Sequence, residues 1–190
     1  MKLKFNANQE FQLKAIKNVV DLFDGIGEYH TQFSLGSEIA PNLPEGEDLD
    51  EDFLKENLQF IQEEFDMEMD ARETPTMKIG VSNSLEKERG QMLEGVSNDI
   101  YEYPSFSVEM ETGTGKTYVY LRTIHELNQK YGFNKYVIVV PSIAIFQGVK
   151  KSWEITQNHF KTIYGNDYCA LRAYDSGRIQ EVKTFATAKG

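Results

Sequence analysis

Residues 106–117, FSVEMETGTGKT, decide the fold of this chain. Residues 106–110 are predicted to form a short buried strand, and Gly113 and Gly115 allow a tight turn in which backbone N–H groups converge. Lys116 and Thr117 then begin a helix. A strand, a glycine-rich turn and a helix N-terminus form a site for a polyphosphate. The backbone amides and the helix dipole hold the anion, the lysine reaches the β and γ phosphates, and the threonine hydroxyl can ligate Mg²⁺.

The general phosphate-loop pattern G-x-x-x-x-G-K-[ST] has a glycine where this chain has Met110. The remaining core, TGTGKT, resembles the phosphate loop of superfamily 2 helicases, which often lacks that first glycine. The alternative is a glycine-rich turn that merely caps a helix. We predict a site for ATP and Mg²⁺, with Thr117 at the metal and the phosphates bound by Thr112, Gly113, Thr114, Gly115, Lys116 and Thr117.

Length and composition indicate a folded, soluble protein. The 190 residues suffice for one domain with a core, or for one domain and an appendage. The single cysteine, Cys169, excludes an internal disulfide and favours a reducing compartment. No apolar run has the length of a signal peptide or of a membrane span of about 20 residues. We therefore expect a cytoplasmic protein with no membrane partner.

A net charge of −10 by itself argues against nucleic-acid binding. The distribution of the charged residues along the chain removes that argument. Residues 45–73 hold thirteen acids and two bases, a net charge of −11, so the rest of the chain carries +1. Residues 141–190 carry +3. An acidic insert thus accompanies an otherwise balanced domain, and global charge says little about the working surface.

Hydrophobic periodicity predicts an alternation of helices and strands. We expect a first helix capped by Asn6 or Asn8 and ending near residue 24. In the acidic insert we expect a helix over residues 53–70 and a strand over residues 77–81. Residues 85–93 are a candidate for a further short helix. After the phosphate loop we expect a helix to residue 131, a central parallel strand over 136–140, a helix over 143–156, a third strand over 168–174 and a helix over 178–187. This order is that of a right-handed βαβ unit in an open α/β sheet.

The first helix contains the aromatic–glutamine pair Phe11-Gln12. In superfamily 2 enzymes such a pair upstream of the phosphate loop often recognises adenine. A glutamine amide suits this role because it donates and accepts hydrogen bonds at once. Gln9 is a rival candidate, and the alternative for Gln12 is a surface position on an amphipathic helix.

The histidines and the cysteine do not suggest a site. His125 is interpreted as a helix-surface residue, and His159 is expected in a loop without a Cys or His at ligand spacing. Cys169 has no base beside it in the sequence and is assigned to core packing. We therefore predict no metal site made of protein ligands alone.

Residues 109–124, EMETGTGKTYVYLRTI, resemble the restriction (Res) subunit of type III restriction–modification enzymes. Residues 139–149, VVPSIAIFQGV, resemble that family's motif Ia, and residues 57–62 and 173–176 resemble it as well. The resemblance covers most of the chain.

The resemblance implies an α/β fold: a RecA-like P-loop NTPase lobe, with a parallel sheet and flanking helices, incomplete here and preceded by an acidic helical insert. It implies an ATP-dependent DNA translocase whose complete form carries a nuclease domain and works with a methyltransferase (Mod) subunit. Phe11 and Gln12 would contact adenine. Pro141 and Ser142 would contact one DNA strand, with Lys150 and Lys151 as neighbours. The segments would be residues 1–35 with the adenine motif, the insert 36–104 and the first part of lobe 1, 105–190.

The chain departs from the family pattern in lacking any D-E-x-[HD] sequence. That motif supplies the acid that orders Mg²⁺ and the carboxylate that orients the attacking water. No arginine finger from a second lobe and no nuclease motif were found either. We therefore expect an N-terminal fragment, without catalytic residues of its own, that does not hydrolyse ATP usefully. The alternatives are a piece of another superfamily 2 motor, such as a type I restriction subunit, and a non-catalytic module whose acidic helix binds a partner protein.

Overall fold

The chain is described by a computed structural model that covers residues 6–26, 42, 51–64, 76–80, 100–165, 169–174 and 177–187. It divides into two compact units. One comprises Met1–Asp48 together with Glu109–Gly190, and the other comprises Leu49–Val108. The three segments expected from the sequence remain predictions.

The described residues of the unit Leu49–Val108 form one helix and a two-stranded sheet. Helix α2 spans Glu51–Glu64 and buries Leu54 and Ile61. Both belong to the apolar stripe that helical spacing in the sequence predicts, which comprises Leu54, Leu58, Ile61 and Phe65. Residues 65–70, the rest of the predicted helix, lie outside the described residues. Strand β1, Thr76–Gly80, pairs antiparallel with β2, Ile100–Pro104. β1 coincides with the predicted strand over its described residues, whereas β2 was not predicted. The possible helix over residues 85–93 falls on residues that the structure does not describe.

The other unit is built around one central helix. Its helices are α1 (Glu10–Asp21), α3 (Lys116–Tyr131), α4 (Ile143–Tyr164) and α5 (Ile179–Thr187). Helix α3 begins directly after the glycine-rich turn and ends at Gly132, whose φ of 73° lies in the left-handed region, as predicted. It packs against α1 and against α4.

Two clusters of buried side chains hold α3 in place. Towards α1 the cluster consists of Ile16, Val20, Val119, Leu127, Tyr131 and Phe133. Towards α4 it consists of Tyr118, Leu121, Trp153 and Phe160. Helical spacing in the sequence predicts a buried stripe of Tyr120, Ile124, Leu127 and Tyr131. Leu127 and Tyr131 are buried, Tyr120 and Ile124 are half-buried, and Leu121, which the stripe missed, is fully buried. Because α3 has partners on two sides, its buried surface is wider than that of a helix on the surface of a domain.

Several helix boundaries differ from the prediction: α1 ends at Asp21 rather than near residue 24, and α2 begins at Glu51 rather than at residue 53. Helix α1 begins after Gln9, which makes no side-chain capping hydrogen bond. The predicted cap Asn6 accepts instead from the Asn8 backbone, because an asparagine side chain can bond locally with the turn that precedes a helix. Helix α4 continues to Tyr164 rather than ending at residue 156, since Thr156 and Phe160 are buried and extend its apolar stripe. His159 therefore lies in a helix and not in a loop.

The predicted parallel sheet is not confirmed. Residues 106–110 and 136–140 form no strand, and neither do residues 169–174 of the predicted third strand. The segment expected to be buried on both faces exposes Val137 by 76% and Val139 by 86%. A β-branched run becomes a strand only where a neighbouring strand accepts and donates its backbone hydrogen bonds, and no such partner lies beside these segments in the described residues.

Candidate nucleotide-binding site

The glycine-rich turn has the backbone that a phosphate loop requires. Gly113 has a φ of 85° and Gly115 a φ of 87°, both in the left-handed region that other residues adopt only with strain. Gly115 is the N-cap of α3, so the turn leads directly into the first free N–H groups of a helix. Successive amides in such a turn point to one side and form a concave donor surface for an anion.

Two side chains of the loop donate to the same backbone oxygen. Thr114 Oγ1 and Lys116 Nζ each lie 2.7 Å from the carbonyl oxygen of Glu111. The ammonium group is exposed and carries three N–H donors, so this bond leaves others for a bound anion. The Glu111 carbonyl thus holds the lysine beside the loop, and the sequence contained no signal for this role.

Gln12 is placed against the phosphate loop. Its side chain is 8% exposed, and Nε2 donates to the Thr114 carbonyl oxygen at 2.8 Å. A Cβ atom added at Gly115 would lie 2.6 Å from the same nitrogen and would displace the Gln12 amide, and the positive φ of this residue independently favours glycine. The predicted reader of adenine is therefore not on an exposed helix surface. Its neighbour Phe11 is 49% exposed on α1, and Gln9 is the N-cap.

Thr117, the predicted magnesium ligand, lies in the first turn of α3 and is half-buried. Burial raises the pKa of Tyr120, and a hydrogen bond with the Thr117 side chain opposes that rise. The hydroxyl is held at the start of the helix, and it is an oxygen ligand of the kind that Mg²⁺ prefers. In the described residues there is no group of three or more acidic, histidine or cysteine side chains that could hold a metal ion.

A buried arginine joins α3 to the segments on both sides, and sequence reasoning missed it. Arg122 is 8% exposed. Its Nη1 donates to the Ala7 carbonyl oxygen at 2.5 Å, and its Nε donates to Tyr164 Oη at 3.0 Å. Tyr164 Oη in turn donates to Glu126 Oε1 at 2.5 Å. The available signal was the i, i+4 spacing of Arg122 and Glu126, which places the two on one face of a helix.

The network continues along the same face of α3 through Tyr118 and reaches His159 of α4. Tyr118 Oη lies 3.5 Å from Arg122 Nη1 and 2.9 Å from His159 Nε2. Burial lowers the pKa of His159, and the charge of Arg122 lowers it further, which favours the neutral form of the ring beside the tyrosine hydroxyl. The pKa of Arg122 is raised: burial opposes its charge, but the hydrogen bond with Tyr164 and the attraction of the two tyrosine hydroxyls outweigh that effect.

The predicted DNA contacts lie at the start of α4. Pro141 and Ser142 are exposed, and the Ser142 side chain caps the helix by accepting from the Ile145 amide at 3.3 Å. The Lys150 ammonium lies 5.7 Å from the centre of the Phe146 ring, and Lys151 forms an exposed ion pair with Glu154 at 3.3 Å. None of the described contacts of these four residues is with the phosphate loop. Of the predicted site residues outside the loop, Gln12 therefore has a described contact with it, whereas the residues near the start of α4 do not.

The side chains of His125 and Cys169 are packed against other core residues. His125 is buried rather than on the helix surface as interpreted, and its ring is parallel to Trp153 at 6.1 Å and to Tyr164 at 5.1 Å. Cys169 packs against the cluster between α3 and α4, and burial raises the pKa of its thiol. A thiol whose pKa is raised is a poor nucleophile, which agrees with the assignment to the core. Among the helices of the described residues, none combines the length and the apolar character needed to span a bilayer.

Comparison with known proteins points to one family. The model of the family described as type III restriction enzyme, Res subunit, matches residues 82–183. The StyLTI Res subunit of Salmonella typhimurium is 45% identical over 76 residues, which cover 37% of this chain and 8% of that protein. The EcoP15I Res subunit of Escherichia coli is 42% identical over 69 residues, covering 35% and 7% respectively.

A third relative, the EcoPI Res subunit of Escherichia phage P1, is 39% identical over 80 residues, 39% of this chain and 8% of that protein. All three carry the description of type III restriction–modification enzymes. The matched part of the chain therefore covers less than a tenth of the length of each of these curated relatives. No solved structure shows a significant match.

Proposed function

Because this chain belongs to the family of type III restriction enzyme Res subunits, we propose that it is the ATP-binding portion of an ATP-dependent DNA translocase and restriction endonuclease. The family implies a helicase-like P-loop fold, and we propose the RecA-like parallel form of it. The observation that carries the nucleotide part is the contact between Gln12 and the loop, at 2.8 Å from Nε2 to the Thr114 oxygen. This contact supports the proposal because the amide assigned to the base lies beside the turn assigned to the phosphates.

Residues 112–117 supply the groups that a nucleoside triphosphate requires. The amides around Gly113 and Gly115 donate to phosphate oxygens, and the start of α3 adds the positive end of the helix dipole. The Lys116 ammonium, held by the Glu111 carbonyl, binds the β and γ phosphates through its remaining N–H donors. The Thr117 hydroxyl holds Mg²⁺, which neutralises phosphate charge when bound. Gln12 and Phe11 contact the adenine.

The wider setting of the site follows from the family. DNA is the proposed polymer substrate of the complete enzyme, with Pro141, Ser142, Lys150 and Lys151 on one strand. A Mod subunit is the proposed partner, and the cytoplasm the proposed location. The 190 residues alone are proposed to bind nucleotide without effective hydrolysis, because they contain no D-E-x-[HD] sequence.

Thr117→Val tests the magnesium part of the site. Mg²⁺ is expected to increase the affinity of the wild-type chain for a non-hydrolysable ATP analogue. In the variant this increase is expected to be roughly tenfold smaller, because a methyl group cannot ligate the ion. Isothermal titration with and without Mg²⁺ measures both values. The matched control is Thr123→Val on the same helix, whose hydroxyl donates to the Val119 carbonyl and lies outside the loop. An unchanged magnesium effect in Thr117→Val contradicts the assignment.

Lys150→Ala tests the DNA surface. Lys150 has no carboxylate partner among its described contacts, whereas Lys151 shares its charge with Glu154. Losing one phosphate contact is expected to weaken binding of a single-stranded oligonucleotide roughly threefold at low salt and to reduce the log–log salt slope by about 0.7. Fluorescence anisotropy at several salt concentrations measures both. Lys161→Ala, an exposed lysine near the other end of α4, is the control, and an equal loss in the two variants would show that only general charge matters.

A further inference from the structure

The buried guanidinium of Arg122 fixes the chain segment that leads into α1. Arg122 Nη1 bonds to the carbonyl oxygen of Ala7, 115 positions away in sequence. Ala7 lies two residues before Gln9, the N-cap of α1. Arg122 itself belongs to α3, the helix that begins at the phosphate loop. The bond therefore ties the entry of α1 to the same rigid element that carries Lys116 and Thr117.

The first turn of α1 depends on such an external tie. Gln9 makes no side-chain capping bond, so this end of the helix lacks the usual local restraint against fraying. The amides of Gln12 and Leu13 both donate to the Gln9 carbonyl oxygen at 3.0 Å. Gln12 is the third residue of the helix and lies within this turn. Its side-chain position consequently depends on where the segment around Ala7 is held.

The position of the Gln12 amide matters because base discrimination by hydrogen bonds is directional. One N–H of the amide donates to the Thr114 oxygen, and an amide also has a second N–H and an acceptor oxygen. Adenine offers an acceptor at N7 beside a donor at N6, which match that remaining pair. Guanine has an oxygen in place of the N6 donor, so the amide oxygen would face another acceptor.

We propose that Arg122 is a positioning residue for nucleotide selectivity: its bond to Ala7 holds the first turn of α1 so that Gln12 can distinguish adenine from guanine. This inference rests on the proposed role of Gln12 at the base. Arg122 contacts neither the phosphates nor the base in this arrangement, and its effect on affinity is exerted through α1.

Arg122→Lys tests the proposal, because lysine retains the charge but its single ammonium cannot bridge Ala7 and Tyr164 as the guanidinium fork does. Titrations with non-hydrolysable ATP and GTP analogues in the presence of Mg²⁺ give the preference for ATP. We expect this preference to fall roughly fivefold or more, the effect of losing one hydrogen bond, while GTP affinity changes little because the loop is intact. Arg122→Gln, which leaves no charge to bury, is the second variant if Arg122→Lys does not fold.

Tyr164→Phe is the matched control. It removes the hydroxyl that bonds to Arg122 Nε and to Glu126 but leaves the Ala7 bond in place. It is expected to keep the wild-type preference for ATP. An equal loss of preference in Tyr164→Phe and Arg122→Lys, or no loss in Arg122→Lys, overturns the proposal. When Gln12 is already replaced by alanine, Arg122→Lys should not change the ratio of ATP affinity to GTP affinity any further. The reason is that Arg122 acts on this ratio only through the contact of Gln12 with the base.

Hydrogen exchange separates this inference from the proposed function. Without nucleotide, the amides of Gln12 and Leu13 should exchange faster in Arg122→Lys than in the wild type and in Tyr164→Phe. Unchanged exchange overturns the role of Arg122 alone. A wild-type chain that binds ATP and GTP equally overturns the adenine role of Gln12, and the selectivity assigned to Arg122 with it, whatever the exchange result.

Discussion

Lys116→Ala is expected to bind ATP about 100-fold more weakly than the wild-type chain. Bonds between an ammonium and phosphate oxygens are charge-assisted, and the loss of such a group from a phosphate site costs about 2–3 kcal/mol. The neighbouring side chains of the loop are Thr114 and Thr117, neither of which carries a positive charge. No other residue of the loop can therefore replace the lysine at the β and γ phosphates.

We expect this variant to keep the conformation of its loop. Lys116 is exposed, and after its removal the Glu111 carbonyl still accepts from Thr114 Oγ1 at 2.7 Å. Isothermal titration with ATP and Mg²⁺ measures the effect, and circular dichroism checks the fold. Lys14→Ala, an exposed lysine of α1 in an ion pair with Glu10, is the control for loss of positive charge. Equal affinity of Lys116→Ala and the wild type would refute the phosphate site.

The second large effect concerns hydrolysis by the 190-residue chain itself. We expect phosphate release at a rate at least about 10³-fold below that of a complete type III Res subunit, since loss of an arginine finger alone costs 10³–10⁵ in comparable enzymes. The chain also contains no D-E-x-[HD] sequence to order Mg²⁺ and to orient the attacking water. Binding and hydrolysis should therefore be separable, with a nucleotide bound but turned over slowly.

A phosphate-release assay under the same ATP, Mg²⁺ and DNA concentrations compares the two proteins. The Lys116→Ala chain, prepared identically, measures the background from contaminating ATPases. Turnover by the wild-type chain that approaches the rate of the complete subunit, and that disappears in Lys116→Ala, would show that the hydrolytic groups are present after all. Turnover that is equal in both chains would be contamination.

The predicted elements that proved correct are those whose signal is local. Helix α3 lies where the pattern placed it, because the turn before it, its apolar spacing and Gly132 after it are all within one short segment. Helix α4 starts after Ser142 for the same reason: a serine followed by free amides is a cap by itself. Family membership was also evident from contiguous residues around the loop, and the family match over residues 82–183 confirms it.

The strands show where local reasoning is insufficient. Residues 136–140 have strong β propensity, yet Val139 is 86% exposed and the segment forms no ladder. Propensity expresses how well a side chain fits a pleated and half-buried surface, and it does not provide the neighbour that makes the surface. Conversely, β2 was missed because its pairing with β1 joins residues about 24 positions apart, a distance that no local pattern reports.

The sequence by itself determined the family and the candidate phosphate loop: two glycines, a lysine and a threonine at a helix start, in the spacing typical of polyphosphate sites. Those properties depend on the backbone freedom and side chains of adjacent residues. Only the tertiary structure placed Gln12 on the loop and Arg122 on the Ala7 carbonyl, contacts between residues 102 and 115 positions apart. Such contacts arise from packing α1 and α4 onto α3, and packing is decided by the shape of the whole buried surface rather than by any one segment.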